Sequence, residues 1–165
     1  MGDELDKLWA RTWQERCLFA QAYLLLGVLR AAILLLPFRT ITSMMGLVQG
    51  EQPTASGDIP TARTADIAWA IQAAAARTPW ESACLAQALT GMLLLTRRGI
   101  NATLYLGVAK DESDPQAMSA HAWLRCGAVI LTGAGGLERF AAISSFARPA
   151  ATDTHRPAAI VRSGP

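Results

Sequence analysis

Residues 79–108 read PWESACLAQALTGMLLLTRRGINATLYLGV, and the first half of this stretch carries the spacing of a helix. Apolar residues recur there three and four positions apart, as one buried helix face requires. They are Leu85, Leu89, Met92 and Leu93. Ser82 is a suitable N-cap, and Gly99 suits the left-handed position just beyond the last turn. The stretch therefore predicts one well-bounded helix with Cys84 in its first turn.

Beyond that helix the apolar spacing changes to the two-residue alternation of a strand. Leu104, Leu106 and Val108 share one face of residues 103–109. Further strand-like segments follow at residues 119–125, 128–132 and 139–146, and helical spacing covers residues 3–46 and 65–77 upstream. Helices followed by strands predict an α+β fold, with helices packed on an antiparallel meander.

The chain divides into four expected parts. Apolar N-terminal helices at residues 1–50 pack on the core, and residues 51–61, rich in Gly, Pro, Ser and Thr, form a linker. Residues 62–146 hold the core, and residues 147–165, with no apolar period, form a mobile tail.

Composition excludes several classes of protein. The 165 residues suffice for one domain with a full core. Hydrophobic residues make up 52% and charged residues 17%, which excludes a disordered chain. The net charge of +2 comes from 15 basic and 13 acidic residues, so we expect no nucleic-acid partner.

The cysteines and histidines show no metal-binding pattern. Cys17, Cys84 and Cys126 form no CxxC pair and no zinc spacing with His121 and His155, so neither a metal nor a cofactor is expected. Cys17 is expected in the helical core and Cys126 in a surface turn. The N-terminus lacks the pattern of a signal peptide, and together with the odd cysteine count this predicts a cytoplasmic protein.

The run from Cys17 to Leu36 is apolar enough to raise the question of a membrane. Its length matches one bilayer crossing, but Gln21 and Arg30 are costly in hydrocarbon. Two interpretations stay open. A helix packed on the core and broken at Pro37 is favoured, and membrane association of this run is the alternative.

The pair of residues with catalytic potential is Cys84 and His121. A cysteine in the first turn of a helix faces unpaired backbone N–H groups and the positive end of the helix dipole, which favour the thiolate. An imidazole on a neighbouring strand could take the thiol proton and later protonate a leaving amine. A structural role stays open beside this one, because a lone cysteine in an apolar helix is often a core residue.

The same residues carry a family resemblance. Residues 79–108, followed by SAHAWLRCG at 119–127, resemble the transglutaminase-like cysteine proteases of lasso-peptide biosynthesis, the B2 proteins. The shared features are Cys-Leu near a helix start, Ala-Leu four residues on, Arg-Arg-Gly-Ile, Leu-Gly-Val and His-Ala-Trp. The likeness covers residues 67–146, and the apolar helices ending in Leu-Pro-Phe-Arg at 36–39 also resemble that family's N-terminal region.

The resemblance implies a transglutaminase-like or papain-like core, in which a nucleophile helix packs on an antiparallel sheet. It implies a leader peptidase that cleaves a ribosomally made precursor, with Cys84 as nucleophile and His121 as general base and acid. The implied partners are the precursor's leader peptide, a separate leader-recognition protein of the B1 type, and the cyclase that closes the lasso ring.

One departure from the family's pattern concerns the residue that orients the histidine. Transglutaminase-like triads add an Asp on the next strand, whereas residues 131–134 here read LTGA. Thr132, a backbone carbonyl and Glu138 stay open as candidates, as does an inactive relative. Two other functions therefore stay open: a non-catalytic scaffold of the same biosynthetic complex, and an acyl transferase that uses the same nucleophile.

Overall fold

The computed structural model of the protein describes residues 11–51, 61–80, 82–111 and 117–149. Most of the expected linker and all but the first residues of the expected tail lie outside these ranges. The helices are α1 (Trp13–Leu35), α2 (Phe38–Met44), α3 (Thr61–Ala75) and α4 (Cys84–Thr96). The strands are β1 (Val48–Gln49), β2 (Thr103–Lys110), β3 (Met118–Cys126), β4 (Val129–Thr132) and β5 (Ala141–Ala147), and a short 3-10 helix (Leu137–Arg139) precedes β5.

The strands form one antiparallel sheet in the order β1-β5-β2-β3-β4. The expected α+β class, with helices on an antiparallel sheet and an apolar N-terminal helix, is confirmed. The expected meander is wrong for its last strand, because β5 pairs with β2 instead of β4. In this position Phe146 on β5 meets Phe38 on α2 edge-on, with ring centroids 5.3 Å apart. Burying this end of β5 beside α2 favours the crossing over a place at the edge next to β4.

Helix α4 lies at the centre of the core, with α1 and α3 on one side and β2, β3 and β4 on the other. Its buried residues therefore cover most of its circumference; they are Ala86, Ala88, Leu89, Thr90, Gly91, Met92, Leu94 and Leu95. Gly91 marks the closest approach to the sheet, since a Cβ there would lie 2.6 Å from Leu124 Cδ2 and 3.2 Å from Leu131 Cδ2. The helix and sheet pack this closely because position 91 has no side chain.

The boundaries of α4 differ slightly from the prediction. The helix begins at Cys84 with Ala83 in the N-cap position, so Ser82 is not the cap. The Ser82 hydroxyl instead lies 2.7 Å from that of Thr78, in the turn before the helix. Gly99 adopts the predicted left-handed conformation, with φ of +68°.

Helix α1 packs on the core along one face and leaves the opposite face exposed. Thr12 and Glu15 form a capping box at its start, and the helix ends just before Leu36 and Pro37. Its buried residues are Leu18, Ala22, Leu26 and Leu29. Among the described residues, α1 is the one helix that is long and apolar enough to cross a membrane, although 22% of its apolar window is buried inside the protein.

Candidate active site

Cys84 is the first residue of α4, so its thiol lies beside the backbone N–H groups that begin the helix. Side-chain hydrogen bonds fix the turn that leads into it. The Thr78 hydroxyl pairs with Ser82 Oγ at 2.7 Å, and Gln87 Nε2 donates to the Ser82 carbonyl oxygen at 2.7 Å. The cysteine, which is half-buried, is therefore held by contacts on both sides of the helix start.

The N-terminal helix also positions this turn, a contact that sequence reasoning missed. The Trp80 ring lies against Gly27 of α1, where a Cβ would meet Trp80 Cζ2 at 3.2 Å. Tyr23, one turn earlier on α1, lies beside the same indole with ring centroids 5.9 Å apart. A glycine inside a helix costs about 1 kcal/mol relative to alanine. Its presence in the middle of an apolar helix was the available signal of a close contact.

His121 lies on β3, and its orientation is set by one hydrogen bond and two aromatic neighbours. Its Nε2 lies 2.9 Å from the carbonyl oxygen of Gly133. A carbonyl oxygen can only accept a hydrogen bond, so the proton of the neutral imidazole resides on Nε2 and Nδ1 is the basic nitrogen. The rings of Phe140 and Trp123 lie beside the imidazole, with centroids at 4.8 Å and 6.2 Å.

The backbone of Gly133 can take this position only because the residue is glycine. Its φ is +78°, and a Cβ would lie 2.5 Å from the carbonyl oxygen of Ala122 and 2.9 Å from Trp123 Cα. Any larger residue would have to displace the backbone of β3. The absence of a side chain thus brings the Gly133 carbonyl within hydrogen-bond distance of His121.

Of the candidates for orienting His121, the structure therefore brings a backbone carbonyl to the imidazole. Thr132 is buried on β4, and within the described residues its hydroxyl has no hydrogen-bond partner. Glu138 lies in the 3-10 helix with an exposed side chain. Neither side chain is bonded to His121 in the described part of the chain.

Cys84 and His121 line one cavity of about 280 Å³. The other lining residues are Phe38, Leu85, Leu106, Gly107, Val108, Ala120, Ala122 and Ile143. Within the described residues no hydrogen bond joins the Cys84 thiol to the imidazole. Both residues thus border one cavity. Ala122 and Leu124 face α4, so the His121 side chain, which alternates with them on β3, projects from the opposite face of the sheet. The contacts of the imidazole on that face are the Gly133 carbonyl and the rings of Trp123 and Phe140.

The other two cysteines lie outside this cavity. Cys126 at the end of β3 is fully buried, and its thiol donates to the Asn101 carbonyl oxygen at 3.3 Å. The expectation that Cys126 is a surface thiol is wrong, because its side chain faces the core from the last position of the strand. Burial raises the pKa of the Cys126 thiol above its ordinary value. Cys17, on α1, is half-buried.

We expect alkylation to separate the three thiols. The thiolate is the reacting form, so a buried thiol with a raised pKa should stay unmodified by iodoacetamide at neutral pH. Cys84 and Cys17 should react in the folded protein, and Cys126 only after unfolding. Peptide mapping by mass spectrometry, with and without denaturant, measures this. Modification of Cys126 in the folded protein at a rate like that of Cys84 would contradict the buried position.

Comparison with known proteins places this arrangement in a family. The family model of the transglutaminase-like superfamily matches residues 25–145, a span that runs from α1 into β5 and contains Cys84, His121 and Gly133. No curated protein and no solved structure matches the chain. Because the family match covers most of the sequence, the chain belongs to the transglutaminase-like superfamily.

Proposed function

We propose that the protein is a cysteine peptidase that removes the leader from a lasso-peptide precursor. The observation that carries the catalytic part is the cavity that Cys84, at the start of α4, and His121, on β3, both border. Membership of the transglutaminase-like superfamily supports cysteine hydrolase or acyl-transfer chemistry. The choice of a lasso precursor rests on the sequence resemblance of residues 67–146.

The first half of the reaction forms an acyl-enzyme. This step requires the His121 imidazole to reach the Cys84 side of β3; its Nδ1 then takes the proton of the Cys84 thiol, and the thiolate attacks the carbonyl carbon of the scissile peptide bond. Negative charge develops on the carbonyl oxygen, and this oxygen accepts hydrogen bonds from the N–H groups at the start of α4. Collapse of this intermediate breaks the C–N bond, His121 gives its proton to the leaving amine, and a thioester to Cys84 remains.

The second half regenerates the enzyme. A water molecule gives a proton to His121 Nδ1 and attacks the thioester carbonyl. Collapse of the second tetrahedral intermediate breaks the C–S bond, and the proton returns from His121 to the Cys84 sulfur. The carboxylic acid product departs and ionises by releasing its own proton to solvent. In the observed position the Gly133 carbonyl accepts the Nε2 proton of His121, which fixes the tautomer with a basic Nδ1.

The partners of such a peptidase are part of the proposal. The substrate is the precursor with its leader peptide, which a separate leader-recognition protein presents. The amine freed by cleavage is the group that the lasso cyclase then joins to a side-chain carboxylate.

Removing either catalytic side chain should abolish cleavage. In Cys84→Ala and in His121→Ala, we expect the rate of precursor cleavage in the presence of the recognition protein to fall roughly a thousandfold or more, because the two residues act as one unit. Mass spectrometry of the released leader measures the rate. Cys17→Ala, which removes a thiol outside the cavity, should cleave like the wild type.

A folded Cys84→Ala protein that cleaved the precursor at the wild-type rate would rule out the peptidase. Product formation by that variant in a reconstituted pathway would instead favour the non-catalytic scaffold. Acyl transfer is the second catalytic candidate, supported by the superfamily assignment. In that case an added primary amine, rather than water, would attack the thioester, and mass spectrometry would find an amide in place of the free carboxylate.

Substitutions around the imidazole should show whether the Gly133 carbonyl or a side chain, that of Thr132 or Glu138, orients His121. Gly133→Ala should lose most of its activity, since the added Cβ would lie 2.5 Å from the Ala122 carbonyl oxygen and displace the acceptor of His121. Thr132→Val and Glu138→Gln should keep the cleavage rate within about threefold of the wild-type rate. Neither side chain is bonded to His121 within the described residues, and substitutions away from such contacts have small effects. Cleavage rates and thermal unfolding are measured for all three. Loss of activity in folded Glu138→Gln would transfer the orienting role to the carboxylate.

We also propose that α1 holds the protein against an anionic lipid surface without crossing it. The face opposite its buried residues exposes Leu24, Val28, Leu34 and Leu35. The charged residues between Glu15 and Glu51 are Arg16, Arg30 and Arg39, so no Asp or Glu occurs in this stretch. Crossing would require the buried face to leave α3 and α4, whereas lying flat uses the face that is already exposed.

Vesicle flotation tests this proposal. The protein should float with vesicles containing phosphatidylserine more than with pure phosphatidylcholine, because the arginines add electrostatic attraction to burial of the apolar side chains. The double variant Leu24→Ser, Val28→Ser removes side chains that are 68% and 64% exposed, and it should lose binding. Val129→Ser on β4, where the side chain is 49% exposed, serves as the control. Equal flotation of the double variant and the wild type would contradict the proposal.

A further inference from the structure

The cavity at Cys84 has a wall made of hydrocarbon. Phe38, Leu85, Leu106, Val108 and Ile143 surround the space next to the cysteine. Apart from Cys84 and His121, the described side chains that line it carry no polar atom. Its volume of about 280 Å³ is enough for one large side chain of a substrate.

A hydrocarbon wall discriminates among substrate side chains by the free-energy cost of removing each one from water. A charged or amide side chain placed there would leave water without gaining a hydrogen-bond partner, whereas an aliphatic or aromatic side chain would gain contacts. A glutamine carboxamide is therefore a poorer occupant than leucine or phenylalanine.

Strand β5 borders the same cavity through Ile143, and part of its outer edge is unpaired within the described residues. Leu106 pairs with Ser144 while Gly107 pairs with Ala142, so Ile143 is an extra residue in a bulge and its side chain is 63% exposed. On the outer side of β5, β1 pairs only with Phe146 and Ala147.

The hydrogen bond from the Gly50 N–H reaches the Ser145 carbonyl oxygen and extends this contact by one residue. Within the described residues no strand pairs with the outer side of residues 141–144. An open strand edge binds an extended peptide through its main chain. The edge at residues 141–144, unpaired within the described part of the chain, therefore adjoins the cavity at Ile143.

We propose that the substrate is an extended peptide with an apolar side chain on the acyl side of the scissile bond, which the hydrocarbon wall holds while the main chain pairs with residues 141–144 of β5. The inference rests on the proposed peptidase and adds the substrate class to it. The wall sets which sequence is cut, and the edge sets the alignment of the scissile carbonyl with Cys84.

Peptidyl chloromethyl ketones test the pocket without requiring turnover. Their thiol adduct forms when the Cys84 sulfur displaces chloride, so no precursor or partner protein is needed. The probes are acetyl-Xaa-Ala and acetyl-Ala-Xaa chloromethyl ketones with Leu, Asp or Lys as Xaa. In one of these two probe series, the probe with Leu as Xaa should label Cys84 at least about fiftyfold faster than the probes with Asp or Lys. This ratio is within the range that hydrophobic pockets achieve.

Val108→Asp places a carboxylate in the wall and should reverse the preference, so that the Lys probe labels faster than the Leu probe. Val129→Asp, a matched change on the exposed face of β4, should keep the wild-type preference. Thermal unfolding of both variants confirms that they are folded. A Leu probe carrying an N-methyl group at the Xaa amide cannot donate to β5, and it should label at least about tenfold more slowly.

Equal labelling by the Leu, Asp and Lys probes would overturn the apolar pocket, and undiminished labelling by the N-methyl probe would overturn the strand pairing. Failure of the peptidase gives a different result. In that case Leu-selective labelling persists while Cys84→Ala and the wild type process the precursor equally. Precursor cleavage that depends on Cys84, without any selectivity among the probes, would keep the peptidase and reject the pocket.

Discussion

The close packing of α4 between the helical layer and the sheet is the constraint on which the rest of the structure depends. A helix that is buried on most of its circumference cannot shift without opening the core on one side. The contact at Gly91 sets its distance from β3 and β4, since Leu124 and Leu131 occupy the space that a Cβ would need. Cys84 begins this helix, so the position of the thiol relative to the sheet follows from the packing of residues that have no chemical role.

The path of the chain between β4 and β5 builds the other half of the site. Because β5 pairs with β2, residues 133–140 must pass from one edge of the sheet toward its other side. That passage brings the Gly133 carbonyl and the Phe140 ring to His121. A strand order that followed the chain would leave β5 beside β4, and the cavity would lose Ile143 from its wall. Topology, therefore, both orients the imidazole and shapes the cavity.

A carbonyl in place of a carboxylate changes what the histidine can do. Both groups accept the Nε2 proton and fix the tautomer, but a carboxylate also brings a full negative charge that stabilises an imidazolium. A neutral carbonyl supplies only a dipole, so the proposed reaction depends more on the N–H groups at the start of α4. The N-terminal helix contributes to the same end, because Trp80 against Gly27 holds the turn before Cys84. Helix α1 is thus part of the support of the candidate site as well as an apolar surface.

The sequence by itself determined the α+β class, the helix with Cys84 in its first turn, the left-handed glycine that follows it at Gly99, and the strand that carries His121. These features depend on the spacing of neighbouring residues along the chain, which is local information. The sequence alone did not determine the pairing of β5, the burial of Cys126 or the group that accepts the hydrogen bond of His121. Each of these is decided by contacts between residues distant in sequence: β5 lies beside β2, Cys126 meets Asn101, and Gly133 reaches over Ala122 and Trp123. The orienting group was least visible of all, because a backbone carbonyl belongs to every residue and only the fold decides which one reaches the imidazole.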